Sequence, residues 1–303
     1  VSELEAARRD RADRRRFALR PGSPAWYVLR DPLASASLLI IVSVALLALL
    51  APVLAPYPEE GRGAANIAQK LLPPSFAHPF GTDSLGRDIV SRVIFGARTA
   101  LLSGLSIVAL GAAFGVALGA AAGYLGGWVD EAIMRVTDIF LAFPPLLLAM
   151  TVAVVLHPSL GNSIIAIALT WWPWYARLAR AQAVSVRERR FVQAARGIGV
   201  RQPTIIRRHI LPNIMTPISV QATLDVGLAI LTVSALGFVG LGVPQPTAEW
   251  GAMIEEGRIY VQTGRWWVPV FPGLALFVLV MAFNLVGDAV HVATSPELRR
   301  RRG

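Results

Sequence analysis

Six stretches of this chain hold almost nothing but apolar residues, and the segments between them are polar and rich in arginine. The runs cover about Leu33–Ala55, Thr99–Gly123, Ala132–Leu156, Ser163–Val184, Ile214–Leu241 and Val268–Ala289. A helix needs roughly 20 apolar residues to cross a hydrocarbon core about 30 Å thick, and each run suffices. Inside hydrocarbon every backbone N–H and C=O must be bonded within the protein, which for such runs means helix. The pattern therefore predicts an all-α polytopic membrane protein with six transmembrane helices. The first run is too long for the core of a cleavable leader and ends in prolines, so it is taken as an uncleaved span.

Composition agrees. Of 303 residues, 54% are hydrophobic and 16% charged, whereas soluble domains carry about a quarter charged residues. The net charge of +10 raises the question of nucleic acid, but the arginines sit beside apolar runs, so no nucleic-acid partner is expected. Nineteen Lys and Arg residues lie in the N-terminal tail, the 185–212 segment and the C-terminal tail (Arg299–Arg302), against seven in the alternate loops. The positive-inside tendency then makes both termini and residues 185–212 cytoplasmic, and Trp266 and Trp267 suit the outer interface. The expected organisation is a basic tail over 1–32, a first span with an extracytoplasmic loop over 33–98, a five-helix core over 99–290 containing the 185–212 loop, and a tail over 291–303.

Several chemistries are excluded. There is no cysteine, so thiolate and disulfide chemistry is absent, and His78, His157, His209 and His291 show no ligand spacing, so no metal site is expected. The only lysine, Lys70, lies in NIAQKLL, and a P-loop needs Gly-x-x-x-x-Gly-Lys-Ser/Thr. Any work driven by ATP must use nucleotide bound by another chain. Gly111, Gly115, Gly119 and Gly123 recur every fourth residue and form one flat stripe on a helix. Such a stripe either packs closely against another helix, of this chain or a partner, or lines a substrate groove, and small-residue stripes mostly serve packing. Asp225, inside the fifth run, either lines a water-filled path or bonds a neighbouring helix. Arg135 and Asp138, at i and i+3, are spaced for an ion pair.

The segment FVQAARGIGVRQPTIIRRHILPN, residues 191–213, has its own grammar. Phe191, Ala194, Ala195 and Ile198 follow a helical period and form a slim apolar face. Gly199 suits a left-handed helix end and Pro203 the first turn of a second short helix. There Ile205, Ile206, Ile210 and Leu211 point inward, and Arg207 and Arg208 outward. Either the loop only orients the protein, or something in the cytoplasm grips it.

This arrangement resembles the coupling loop of permease subunits of ATP-binding-cassette importers: Glu-Ala-Ala, three residues, Gly, nine residues, Ile-x-Leu-Pro. Ala194, Ala195, Gly199, Leu211 and Pro212 match, while Gln193 replaces the glutamate and His209 the isoleucine. HPFGTDSLGRDIVSRVIFGAR, DEAIMRVTDIFLAFPPLLLAM, LGFVGLGVPQPTAEWG and FPGLALFVLVMAFNLVGDAV follow in order and are similar to the C-type subunit of the oligopeptide/dipeptide permease family, over about residues 35–296. The resemblance implies a type I importer permease fold in a bacterial cell membrane. It also implies a second homologous permease subunit, two ATPase subunits that hold ATP and Mg, and an extracytoplasmic solute-binding protein. Membrane lipid surrounds the chain, which itself holds no cofactor. The loop, with Arg196 beside the two alanines, would insert into an ATPase cleft. The 78–98 segment would brace the outer mouth or touch the binding protein, and the 242–268 loop, with Trp250, Glu255 and Glu256, is a second docking candidate. A channel or stand-alone carrier would leave the loop grammar without purpose, and a membrane enzyme would want a convergent catalytic set that the spans lack.

Overall fold

The computed structural model describes residues 24–294, all-helical apart from loops and one isolated bridge, Thr82 to Asp88. The arginines expected in the two tails, Arg30 apart, lie outside the described residues. Helix α1 (Pro24–Arg30) leads into α2 (Pro32–Leu49). Pro32 occupies the first turn of α2, and the Asp31 carboxylate caps it, accepting from the N–H groups of Leu33 and Ala34. Leu33, Leu39, Val42, Leu46 and Leu49 are all exposed. Only 17% of α2 is buried, against 50% of the most apolar 18-residue window of the 202–238 helical unit, so α2 lies at the edge of the bundle.

Helix α3 (Ile89–Leu125) starts at Asp88, whose carboxylate accepts from the Ser91 N–H at 2.8 Å. Next come α4 (Gly127–Leu141) and α5 (Pro145–Leu156), which meet at 88°. The single third span expected from hydropathy is thus a bent pair. Its cause is Phe143-Pro144-Pro145: two prolines offer no N–H, and each pushes the residue before it out of the α region. After the bent pair, helix α6 (Leu160–Arg187) runs parallel to α3, Gly111 lying against Trp171 and Gly123 against Arg180 and Ala183. The loop helix α7 (Arg190–Gly197) follows, then α8 (Leu211–Phe238), entered through Gln202–Ile205 and a π turn over Ile206–Ile210. Helix α9 (Trp250–Arg258) and the long α10 (Trp267–Thr294) close the fold.

Among the described residues four helices are long and apolar enough to span a membrane, and the bent pair makes a fifth. The sixth expected span, α6, is long enough at 28 residues but carries Trp171, Trp172, Trp174, Tyr175 and three arginines. Trp171, Trp172 and Tyr175 are buried, so the reduced hydropathy of α6 belongs to a helix that faces protein. The glycine stripe makes that possible. A β-carbon at Gly115, Gly119 or Gly123 would run into the carbonyl oxygens of Trp172, Ala176 and Arg180 on α6. The stripe is an intramolecular helix contact, made backbone against backbone.

Candidate functional site

The two ends of the bundle hold different polar structures. At one end, residues 57–88 fold over the start of α3 and against α9. Arg87, fully buried, donates to Asp83 at 2.6 Å and to Glu256 at 2.9 Å. Ser84 also bonds Glu256. His78, stacked on Tyr57, meets Asp88 at 3.0 Å. Trp250 is buried and donates to the Val93 carbonyl at 3.1 Å. The 78–98 and 242–268 segments are therefore fastened to each other. This corrects the expectation of Trp250 and Glu256 as docking groups: the first is a core residue and the second an ion-pair partner. Trp267 is buried too, with its N–H toward the Thr82 carbonyl, and only Trp266 of the pair faces outward.

At the other end lies the 188–213 loop. Helix α7 buries Val192 and Ala195 and leaves Phe191, Ala194 and Ile198 exposed. The face read as Phe191, Ala194, Ala195 and Ile198 is thus divided. Adjacent helical residues are about 100° apart, so Ala194 and Ala195 cannot share a direction, and Val192 rather than Ala194 joins Ala195 inward. What stands outward is a narrow apolar stripe, with Ile198 81% exposed. Gly199 takes φ +76°, with its N–H on the Arg196 carbonyl and the Val200 N–H on the Ala195 carbonyl. That is the Schellman end of a helix. A side chain at 199 would meet open space, so the glycine is required by its backbone angle and not by crowding.

The loop is pinned at few points. Arg196 lies 4.6 Å over the Tyr124 ring and donates to its hydroxyl at 3.2 Å. Arg187 donates to the Gly123 carbonyl at 3.2 Å. Gln193 donates to the Arg187 carbonyl and to Glu188. A glutamate at 193 would instead repel Glu188, so here the neutral amide suits its own surroundings. Beyond the turn, Ile205 and Ile210 are fully buried, and Leu211 packs on the core. Pro212 does not separate the loop from the span. Its ring cannot accept a normal turn before it, and the helix widens so that the Leu211 N–H reaches the Ile206 carbonyl. The Asn213 side chain then bonds the His209 carbonyl at 2.7 Å.

A groove of about 950 Å³ opens between α5, α6 and α8. Asp225 lines it and is held by Gln221 at 2.9 Å, with Tyr175 and Trp171 beside the carboxylate. It stands about 20 Å from either end of α8 at the helical rise of 1.5 Å per residue. The expected Arg135–Asp138 pair does not form. Arg135 reaches Glu131 one turn back on the same helix, at 3.4 Å, while Asp138 takes Arg177 of α6 at 2.6 Å. Arg180 grips Asp130 through two bonds of 2.5 and 2.7 Å. These pairs between helices were not read from the sequence, because no local spacing signals a partner some 40 to 50 positions away, and Gln221, although one turn from Asp225, was passed over.

These features define a multi-pass helical membrane protein with an ordered loop at one end and, within the bundle, a mostly apolar groove that holds Asp225. Residues 115–300 match the family described as binding-protein-dependent transport system inner membrane component, and residues 25–74 match the N-terminal transmembrane domain of oligopeptide transport permease C. A probable D,D-dipeptide transport system permease protein of Escherichia coli K12 is 45% identical over 90% of both chains. A dipeptide transport system permease protein of Alkalihalophilus pseudofirmus is 42% identical over 89% of this chain and 88% of its own. A glutathione transport system permease protein of Escherichia coli O6:K15:H31 has the same identity and coverage. The chain belongs to the binding-protein-dependent transport system inner membrane component family, and it is a membrane-spanning permease subunit of an importer.

Proposed function

We propose that this subunit sits in a bacterial cell membrane with both termini and the 188–213 loop in the cytoplasm. In this reading it forms half of a translocation path for di- or oligopeptides or chemically similar solutes. A second homologous permease supplies the other half, an extracytoplasmic binding protein delivers the solute, and two ATPase subunits hold ATP and Mg. Helix α7 lies in a cleft on one ATPase. ATP-driven closure moves it, and the bundle rocks between inward-facing and outward-facing states, as alternating access by rigid helical units requires.

The observation that carries the coupling role is the outward apolar stripe of Phe191, Ala194 and Ile198 on a helix whose opposite side is packed. A loop that served orientation alone needs arginines but no exposed isoleucine on an ordered, Schellman-capped helix. Relatives named for dipeptide and glutathione transport support the solute class. The chain has no cysteine, so Ala194→Cys gives a single attachment point for a crosslinker in native membranes. The expected product contains a P-loop ATPase. A product made only of two copies of this chain would overturn the coupling role and favour a stand-alone carrier.

A further inference from the structure

The groove between α5, α6 and α8 carries a charge pattern of its own. Two charged side chains line it, Arg177 and Asp225. Arg177 is already engaged by Asp138 at 2.6 Å. Asp225 has neutral partners, the Gln221 amide at 2.9 Å and the flanking Trp171 and Tyr175. A carboxylate at the middle of a span is costly unless a cation or water answers it. Around it stand Trp171, Trp174 and Tyr175, whose ring faces carry negative potential. Carboxylate and rings together favour an ammonium group and disfavour an anion. The volume is that of a small-molecule site, much larger than one partner side chain needs.

We propose that Asp225, with Trp171, Trp174 and Tyr175, forms a transit site for the ammonium group of the solute. The groove then admits amine-bearing molecules in preference to the same molecules with the amine blocked. This rests on the reading of the chain as an importer subunit, and it adds a selection step inside the membrane to whatever the binding protein selects.

The test uses the complex purified from its own host through a tag on this chain, placed in lipid nanodiscs without added binding protein. Equilibrium dialysis compares alanyl-alaninamide, which carries only an ammonium charge, with N-acetyl-alanyl-alaninamide, which carries none. Wild type is expected to prefer the amine by at least about tenfold, the scale of one charge-assisted hydrogen bond. Asp225→Asn should abolish the preference and Asp225→Glu should retain part of it. Equal affinity for the two probes, no saturable binding of either, or a preference that survives Asp225→Asn overturns the proposal. So does loss of a second permease from the Asp225→Asn complex in native mass spectrometry, since Asp225 would then answer a cation of that chain. Where the Asn chain itself fails to accumulate in the membrane, the wild-type comparison decides. Failure of the importer reading is seen separately, as absence of any P-loop ATPase from the same mass spectrum.

Discussion

The cap over residues 57–88 and the loop over residues 188–213 are both polar and both hold arginines, yet they are built in opposite ways. Glu59, Arg62 and Lys70 of the cap are exposed, but at its base the charges are inside: Arg87 and Asp88, with Arg92 on α3, are buried to within 2%, and the two arginines reach a segment some 150 to 170 positions further along the chain. In the loop the charges are outside, apart from Arg187 and Arg196 laid on the end of α3. Its apolar residues are shared between core and surface, Val192 and Ala195 within and Phe191, Ala194 and Ile198 without. A structure whose polar groups satisfy one another internally resists opening. Within the loop, the part anchored by Ile205 and Ile210 is fixed, whereas helix α7, held by Val192, Ala195 and one stacked arginine, opens at lower cost. The difference teaches that the first region fixes the geometry of the helix ends, while the second presents a surface.

The largest effect is expected where that contrast is sharpest. Arg87→Met leaves Glu256 without its cation and Asp83 with only the longer contact to Arg92, 3.5 Å away. Breaking a buried charge network by removing one partner costs about 3–5 kcal/mol. Thermal unfolding of the purified chain in detergent should show a loss of that size, largely recovered when Glu256→Gln is added. A loss below about 1 kcal/mol would mean that the cap is not fastened by this network. The next effect separates stability from coupling within the loop. Ala195→Trp overpacks a buried site and should cost about 1–3 kcal/mol in the same assay. Ala194→Trp, on the exposed face, should leave unfolding within about 0.5 kcal/mol yet lower ATP-driven uptake at least about tenfold by blocking close approach. Wild-type uptake by Ala194→Trp would show that nothing grips the exposed stripe.

The cap and the loop also differ in how much of them was legible in the sequence. Four of the six expected spans were, because hydrocarbon demands helix and apolar run length reports it directly. Gly199 and Pro203 were legible because turn chemistry is local, and both stand where their backbone preferences put them. The orientation of α7 was half legible: the period identified a helix, but two neighbouring alanines cannot say which of them faces in, and Val192 was passed over. The bend at Phe143-Pro144-Pro145 was written in the residues and outweighed by the unbroken hydropathy around it. The cap was least legible. Trp250, Glu256 and Arg87 look like ordinary surface residues of a polar loop, and their burial follows from contacts that only the closed bundle creates. Asp225 was singled out by its charge in an apolar run, whereas Gln221, one turn earlier, carries no such flag.

The smallest expected effect tests the cap through one acid. Glu249 is 3% exposed and caps α9, accepting from the N–H groups of Gly251 and Ala252 at 2.8 Å each, and it also accepts from Ser234 of α8 at 3.0 Å. Burial pushes its carboxyl above the ordinary 4.5, and the three hydrogen bonds hold it partly back. A raised folded value means that the native state binds the proton more tightly than the unfolded chain. Stability from this group is then fullest below about pH 4.5 and is lost as pH rises through the raised value. Glu249→Gln keeps an acceptor for the helix cap and removes the titration. The difference in unfolding temperature between wild type and Glu249→Gln should therefore shift with pH, wild type losing ground as pH climbs from about 4.5. A difference that moves the other way would mean that the capping hydrogen bonds outweigh burial and that the charged form is the one the cap is built to hold.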